Sequence, residues 1–168
     1  KNYKTGDPMD KNTVMGTVIN EGARDRIHSL VEDALSKGAK LLSGGKYNGL
    51  FYEATILDNV NLSMKVATEE IFGPIMPIIE VNSTEEAIEI SNSSEYGLDS
   101  CIFTENIHLA LKIAKQLEDG SVTINSAPAH GVGHFPFGGN KKSGLGREGI
   151  KYSIDELTKL HTIIINEE

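Results

Sequence analysis

Two acidic residues stand directly before an aromatic residue and a Gly-Pro turn in the stretch Glu69-Glu70-Ile71-Phe72-Gly73-Pro74. An ionised carboxylate has several acceptor sites, so it can bind two neighbouring hydroxyls such as a ribose diol. The same acids could equally form a solvated loop that leads into a strand. The residues alone leave both interpretations open.

A second motif, Gly144-Leu145-Gly146-Arg147-Glu148-Gly149, matches the G-x-G-x-x-G pattern of dinucleotide-binding turns. That pattern requires a buried strand before it and an acidic residue about 20 positions after it. The preceding Asn140-Lys141-Lys142-Ser143 does not resemble a buried strand, and no residue stands at the acidic position. We therefore expect a glycine-rich loop that packs against other backbone, with independent dinucleotide binding as the alternative.

The other candidate ligands and nucleophiles are few. His130 and His134 lie four positions apart, and without a third ligand they make a poor metal site, so we expect no metal. Cys101 is the only cysteine, and it stands in an apolar stretch with no neighbouring cation. A nucleophilic thiol needs partial exposure and positive surroundings, so we expect Cys101 to be buried and unreactive.

Alternating helices and strands must position these residues. Apolar residues at helical spacing from Ile27 to Leu35 predict a helix that ends at Gly38. The nearly continuous apolar run Ile75–Val81 is typical of a strand that is buried on both faces. A capping-box pattern at Ser83 predicts the start of the next helix.

The alternation continues along the chain. Strands are predicted at 100–103 and 121–124, with a helix between them that Asn106 can cap and Gly120 ends. Strand, helix, strand, helix, strand over residues 75–124 predicts an α/β fold with a mainly parallel sheet and crossover helices. A short helix is expected at 152–160, and His161–Ile165 is expected to be a terminal strand that needs a partner strand.

Composition excludes several classes of function. The 168 residues are 39% apolar and carry a net charge of -8, so we expect a packed core and no binding to nucleic acid or anionic membrane surfaces. No apolar run approaches the ~20 residues of a membrane-spanning helix. One cysteine fits a reducing compartment, and we expect the protein to be cytoplasmic. The first residue is Lys and not Met, which suggests a fragment or a processed product.

The motifs together resemble the C-terminal part of the catalytic domain of the aldehyde dehydrogenase superfamily. The shared stretches, in the order of that family, are Glu69-Glu70-Ile71-Phe72-Gly73-Pro74, Asn125 and Pro136–Gly149. Within the superfamily, 124–131, 135–137 and 151–154 are similar to the non-phosphorylating, NADP-dependent glyceraldehyde-3-phosphate dehydrogenases. Lactaldehyde dehydrogenases fit almost as well.

The resemblance implies an aldehyde dehydrogenase-like fold, with residues 1–158 forming part of the catalytic domain and 159–168 the terminal strand of the oligomerisation sheet. In the family, a cysteine attacks the aldehyde, the two electrons pass to NAD or NADP, and a thioester is hydrolysed. By analogy, Glu70 binds the nicotinamide ribose and Phe72 lies beside the nicotinamide. Phe137 lines the aldehyde pocket, and His130 stands where an arginine usually helps to hold the substrate phosphate.

The differences from the motifs of the family are as informative about function as the matches. Its Gly-Gln-x-Cys setting of the nucleophile and Glu-Leu-Gly-Gly-Lys setting of the general base do not occur here, and Cys101 stands in a later strand. We therefore assign no catalytic residue and expect this chain alone to be inactive, without bound cofactor. NAD or NADP, a small aldehyde and a homo-oligomeric state belong to the full-length enzyme. A non-catalytic binding or oligomerisation module of the same fold is the alternative.

Overall fold

The computed structural model describes residues 3–128 and 133–166 and divides the chain into two units, residues 1–80 and 81–168. The first unit contains α1 Glu21–Ser36, β1 Lys40–Ser43, β2 Tyr47–Asn48, β3 Phe51–Tyr52, β4 Thr55–Asp58, α2 Lys65–Thr68 and β5 Ile75–Pro77. The second contains α3 Thr84–Asn92, β6 Tyr96–Gly97, β7 Asp99–Ile102, α4 Ile107–Ala114, β8 Ser121–Ile124, β9 Asn140–Lys141 and α5 Ile150–Leu157. The assignment of 1–158 to one catalytic domain stays a prediction.

The core of the first unit forms between α1 and a small sheet. The apolar face predicted for α1 is buried, with Ile27 and Leu30 almost inaccessible to solvent. Val31 of the same helix packs in a cluster with Leu57 of β4 and Met64, which precedes α2. Complete burial of one such side chain contributes about 1.5–3 kcal/mol, so this cluster dominates the stability of the unit.

The sheet of the first unit has the order β1-β4-β5, with β4 antiparallel to β1 and parallel to β5. A separate two-stranded ladder pairs β2 antiparallel with β3. This places Ile75, the first residue of β5, beside Thr55 of β4, so the loop that precedes β5 at residues 69–74 ends next to the core. The sheet therefore fixes the C-terminal end of that loop.

The helix caps predicted from the sequence are present. The Ser83 hydroxyl accepts a hydrogen bond from the Glu86 amide at 3.1 Å, and Asn106 does the same for Leu109 at the start of α4. The Glu86 carboxylate closes the cap by accepting from the amide of Asn82 at 2.7 Å. These bonds satisfy amides that have no partner within the helix.

In the second unit, β7 and β8 pair in parallel, with α4 in the connection between them. This is the strand–helix–strand arrangement that the alternation of residues 100–124 predicts. A second ladder pairs β6 antiparallel with β9, which lies in the glycine-rich segment. This ladder pairs the glycine-rich segment, through β9, with the strand β6.

Two expectations about strands need correction. The run Ile75–Val81 gives only the three-residue strand β5, and Met76 in its centre is 61% exposed, so the strand is not buried on both faces. One mainly parallel sheet is not shown, because the described residues form small sheets in which antiparallel pairs accompany the parallel β4–β5 and β7–β8 pairs. An apolar run reports that a segment can be buried, but the neighbouring strands decide how much of it is.

The C-terminal segment extends beyond α5. Its described residues, 158–166, have no regular secondary structure, and Ile163, Ile164 and Ile165 are each more than three-quarters exposed. The terminal strand expected at His161–Ile165 has no partner within this chain among the described residues, so its place in an oligomerisation sheet stays a prediction. Within the described ranges, no helix is long and apolar enough to cross a membrane.

Candidate cofactor and substrate site

The loop at residues 69–74 presents an acid and an aromatic ring to solvent. Glu70 is exposed, and Phe72 is 83% exposed. The backbone of Phe72 has a φ of 48°, in the left-handed region that side chains other than glycine rarely occupy. Such a conformation persists only where the surroundings fix it, so the loop around Phe72 is held in one shape.

Arg26 of α1 holds the backbone of this loop directly before Phe72. Its guanidinium donates hydrogen bonds to the Glu70 carbonyl at 2.5 Å and to the Ile71 carbonyl at 2.9 Å. The Glu69 carboxylate lies 3.8 Å from the same guanidinium. Because the side chain of Glu70 takes no part in these bonds, its carboxylate stays available to a ligand.

The other side of Phe72 is fixed by packing and by the sheet. A Cβ atom at Gly73 would lie 2.6 Å from Cδ1 of Ile27, so only glycine brings the backbone this close to α1. The Pro74 carbonyl then accepts a hydrogen bond from the Thr55 amide at 2.8 Å, which anchors the chain to β4. The backbone is therefore held on both sides of Phe72, by Arg26 before it and by the contacts of Gly73 and Pro74 after it.

Phe72 also borders a cavity of about 610 Å³ in the first unit. The cavity reaches Tyr52, whose hydroxyl lies 3.0 Å from Nδ1 of His28. Burial of Tyr52 raises the pKa of its hydroxyl to about 12. The cavity thus combines a solvent-facing aromatic ring at its mouth with a neutral phenol in its wall.

Phe137, the residue assigned to the aldehyde pocket, lies in the glycine-rich segment of the second unit. Its amide donates to the Glu148 carbonyl at 3.0 Å, and the Glu148 amide donates back to the Phe137 carbonyl at 2.6 Å. The ring of Phe137 is half-buried and borders a cleft of about 340 Å³. The two strands of this bridge hold Phe137 at the wall of the cleft.

Glycines make the close backbone contacts of this segment possible. A Cβ atom at Gly138 would lie 2.7 Å from the Gly146 carbonyl oxygen, and one at Gly120 would overlap the Gly138 carbonyl oxygen. Arg147 crosses the same turn, donating to the carbonyls of Gly139 and Gly146 and to Oδ1 of Asn140. The expectation of a glycine-rich loop packed against other backbone is confirmed.

Gly144–Gly149 is not part of a dinucleotide-binding βαβ unit in the described structure. The strand before it, β9, is two residues long and antiparallel to β6, and α5 follows without a side-chain cap. A dinucleotide fingerprint instead joins a buried parallel strand to a helix whose N-terminus meets the pyrophosphate. The geometry agrees with a structural loop.

Asn125, a further residue of the resemblance, closes the end of β8. Its backbone φ is 57°, and its side chain exchanges two hydrogen bonds with Thr104, accepting from the amide at 2.8 Å and donating to the carbonyl at 2.9 Å. The pair ties the end of β8 to the segment that follows β7. Asn125 thereby fixes the chain where it leaves β8.

The prediction that Cys101 is buried is wrong. The residue is exposed and borders a cleft of about 470 Å³ between β7 and the helices α3 and α4. A two-stranded sheet leaves its faces partly uncovered, so position in an apolar strand did not ensure burial. His130 lies outside the described residues, and within the described ranges no group of three or more His, Cys, Asp or Glu side chains could hold a metal ion.

Comparison with known proteins identifies the family. The aldehyde dehydrogenase family matches residues 1–163. The chain is 46% identical over 163 residues to the lactaldehyde dehydrogenase of Methanococcus maripaludis, covering 96% of this chain and 34% of that protein. The chain belongs to the aldehyde dehydrogenase family. It spans about a third of the length of the curated relatives it matches.

Solved aldehyde dehydrogenases and related enzymes share the fold. A glyceraldehyde-3-phosphate dehydrogenase of Methanocaldococcus jannaschii in complex with NADP is 44% identical, with a TM-score of 0.91 over 97% of this chain and 35% of that one. A betaine aldehyde dehydrogenase of Staphylococcus aureus in complex with NAD+ is 36% identical, with a TM-score of 0.86 over 92% of this chain and 32% of that one. The aldehyde dehydrogenase-like fold is confirmed.

The structure brings Glu70 and Phe72 together on one loop and places Phe137 in the second unit. Sequence reasoning missed Arg26 and Arg147, which hold the two loops that carry these residues. Arg147 stands inside a recognised motif and could have been singled out as a donor surrounded by glycines. Arg26 lies 44 positions before Glu70, and no local pattern in the aldehyde dehydrogenase chain links the two.

Proposed function

We propose that this chain is part of an NAD(P)-dependent aldehyde dehydrogenase that oxidises a small aldehyde to its acid. The observation that carries the proposal is the loop at residues 69–74, where an exposed carboxylate and an exposed aromatic ring stand on a backbone fixed from both sides. The family match over residues 1–163 supports it. So do related structures in complex with NADP or NAD+.

The residues of this loop fit a nicotinamide nucleotide. The Glu70 carboxylate is exposed, and among the described residues no side chain hydrogen bonds to it, so its oxygens can accept from the two hydroxyls of a ribose. Phe72 offers an apolar face to the nicotinamide ring. When bound, the nicotinamide accepts the two electrons that the aldehyde loses on oxidation.

Phe137 lines the aldehyde pocket in this proposal. An aromatic wall excludes water, which protects a thioester from early hydrolysis and strengthens electrostatic contacts with the substrate. The nucleophilic cysteine comes from residues of the full-length enzyme outside this chain, since Cys101 stands in a later strand than the nucleophile of the family. The chain alone is therefore inactive.

The substrate is a small aldehyde such as lactaldehyde or glyceraldehyde 3-phosphate. Support comes from the relatives, which include a lactaldehyde dehydrogenase and a glyceraldehyde-3-phosphate dehydrogenase at 44–46% identity. His130 is assigned to the substrate pocket. A histidine is mostly neutral at pH 7, whereas an arginine binds phosphate with two parallel hydrogen bonds, so His130 favours an aldehyde without a phosphate.

The full-length enzyme completes the sheets that this chain begins. Each parallel pair, β4–β5 and β7–β8, is extended by further strands into a mainly parallel sheet, since the edge strands of a small sheet have N–H and C=O groups without partners. Residues 159–168 add a strand to the sheet of a second subunit and make a homo-oligomer. We place the enzyme in the cytoplasm, because the one cysteine of this chain can form no disulfide within it.

The first test measures cofactor affinity in the full-length enzyme. Glu70→Gln removes the charge and should weaken NAD(P) binding about tenfold or more, because hydrogen bonds to a charged group contribute about 1.5–3 kcal/mol. Glu80→Gln makes the same chemical change at an exposed residue of the same unit and should leave binding unchanged. Equal affinities of the wild type and the Glu70 variant would remove Glu70 from the cofactor site.

The second test addresses the substrate. His130→Arg in the full-length enzyme should raise the ratio of kcat/KM for glyceraldehyde 3-phosphate over lactaldehyde, since a guanidinium recognises the phosphate. The readout is the formation of reduced nicotinamide with each aldehyde. An unchanged ratio would show that residue 130 does not face the substrate.

A further inference from the structure

Arg26 holds the one part of the loop whose backbone conformation is unfavourable. Its guanidinium spans two successive carbonyls, those of Glu70 and Ile71, and the next residue is Phe72 with a φ of 48°. A left-handed conformation is unfavourable for a residue other than glycine, so the isolated loop would relax to another shape. The two hydrogen bonds oppose that relaxation on the N-terminal side.

Both bonds depend on the planar shape of the guanidinium. Arginine presents two N–H groups side by side in one plane, which matches two carbonyl oxygens in sequence, whereas a lysine ammonium carries its three donors on one atom. The Glu69 carboxylate, 3.8 Å away, adds an attraction that orients the guanidinium. The arrangement therefore suits an arginine better than a lysine.

We propose that Arg26 is a positioning residue for the cofactor: it fixes the backbone that aims the Glu70 carboxylate at the ribose and the Phe72 ring at the nicotinamide. This inference rests on the cofactor roles proposed for Glu70 and Phe72. Two of its N–H groups donate to the loop backbone, so Arg26 acts on the ligand through that backbone. Its loss should weaken cofactor binding through the loop and leave the aldehyde side unaffected.

The test uses equilibrium binding to the full-length enzyme, with NAD+ and NADP titrated by calorimetry. Arg26→Gln should weaken binding about fivefold to tenfold, as expected when hydrogen bonds from a charged donor are lost. Arg26→Lys keeps the charge but donates from a single atom, so it should restore only part of the affinity. In hydrogen exchange without ligand, the Ile75 amide, which donates to the Gly73 carbonyl, should exchange faster in Arg26→Gln and by a smaller amount in Arg26→Lys.

A neighbouring arginine supplies the matched control. Arg24 lies on the same helix, donates to the Gly49 carbonyl at 3.3 Å and has its guanidinium carbon 4.9 Å from the centre of the Tyr47 ring, and among the described residues it makes no hydrogen bond to the loop at residues 69–74. Arg24→Gln should lower the melting temperature without changing the affinity for NAD(P). A loss of affinity in this variant equal to that of Arg26→Gln would mean that helix stability alone is at work, which overturns the proposal.

Combining the two site substitutions separates this inference from the proposed function. If Arg26 acts through the loop that carries Glu70 and Phe72, then Arg26→Gln should cost clearly less than its roughly fivefold to tenfold loss when Glu70 is already Gln, because coupled residues are not additive. If Glu70→Gln weakens binding and Arg26→Gln does not, the positioning role is wrong and the function stands. If neither substitution changes binding, the cofactor role of the loop and the inference both fail.

Discussion

The loops at residues 69–74 and 133–149 both present candidate site residues, yet different interactions hold them. The first loop owes its shape to the long side chains of Arg26 and Ile27, which reach it from α1. The second owes its shape to backbone lying directly against backbone, as where Gly120 meets the Gly138 carbonyl. A side chain can shift to accommodate a change, whereas two backbones in contact cannot.

The surroundings of the two loops differ in the same way. Among the described residues, ten of the twelve buried apolar side chains lie in the first unit, and only Ile88 and Ala110 lie in the second. The first loop thus rests on a core that can repack. The second loop follows a backbone path that only glycine can adopt, so we expect substitutions in the second loop to be less tolerated.

The largest effect is expected at Gly120 in the second unit. Gly120→Ala would place a methyl group on the Gly138 carbonyl oxygen, and overpacking against fixed backbone should cost more than about 3 kcal/mol. The measurement is the free energy of unfolding of the full-length enzyme in urea, with the yield of folded protein. Gly22→Ala in α1, where the new Cβ would meet its nearest atom at 3.4 Å, should be neutral or slightly stabilising.

A result in which both alanine variants unfold at the same urea concentration would contradict the comparison. It would mean that the segment around Gly138 shifts at little cost. The second loop would then be no more rigid than the first.

A smaller effect is expected at Gly73 in the first loop. Gly73→Ala should cost about 1–3 kcal/mol, because its Cβ would lie 2.6 Å from the end of a flexible side chain, Cδ1 of Ile27. Shortening that side chain with Ile27→Val removes Cδ1 and leaves Cγ1, at 2.8 Å from the new Cβ, as the nearest atom, so it relieves part of the clash. The double variant should therefore be more stable than the sum of the two single changes predicts, as measured by urea unfolding.

Strictly additive costs would contradict this assignment. They would place the strain of Gly73→Ala in the backbone and not in the contact with Ile27. The two loops would then respond to substitution in the same way.

The sequence predicted those features that depend on neighbours in the chain. The caps at Ser83 and Asn106 and the helical face of α1 follow from spacings of three or four residues, and the structure has them. Burial depends on distant neighbours, so Cys101 and Met76 were assigned wrongly. An apolar stretch reveals a preference for burial but not what covers it.

In the candidate site, too, the sequence predicted the residues that belong to local motifs and missed those that act over a long distance along the chain. Glu70, Phe72 and Phe137 came from motifs that resemble a family, and the chain belongs to that family. Arg26 donates a hydrogen bond to the backbone carbonyl of Glu70, 44 positions away. Because every residue has a backbone carbonyl, the residue type at position 70 gives no sign of this contact. Such a contact becomes visible only in three dimensions.

Alkaline pH should loosen the region under the first loop. Tyr52 is almost fully buried, and burial raises the pKa of its hydroxyl to about 12, above the usual value of about 10. The folded state therefore holds this proton more tightly than the unfolded state, and stability falls as the pH rises from about 10 to 12. At about pH 11 the loss should be about 1 kcal/mol relative to pH 9.

The measurement is urea unfolding at both pH values for the wild type and for Tyr52→Phe. The variant lacks the titrating hydroxyl, so it should lose less stability on the way to alkaline pH, even though it also lacks the hydrogen bond to His28. Equal alkaline losses in the two proteins would show that other groups cause the effect.

The smallest change in stability, and the clearest separation of stability from binding, is expected for Phe72→Gly. The left-handed backbone of Phe72 costs about 1–3 kcal/mol, and glycine removes that cost while adding about 0.5–1 kcal/mol of unfolded-state entropy. Because the ring is 83% exposed, little packing is lost, so the variant should be about 0.5–1 kcal/mol more stable.

The affinity of Phe72→Gly for NAD(P) should nevertheless fall, since the ring proposed to face the nicotinamide is gone. Phe72→Leu keeps an apolar side chain and the strained backbone, and should bind better than Phe72→Gly without the gain in stability. A glycine variant that is less stable than the wild type would show that the backbone of Phe72 stores no strain in the first loop.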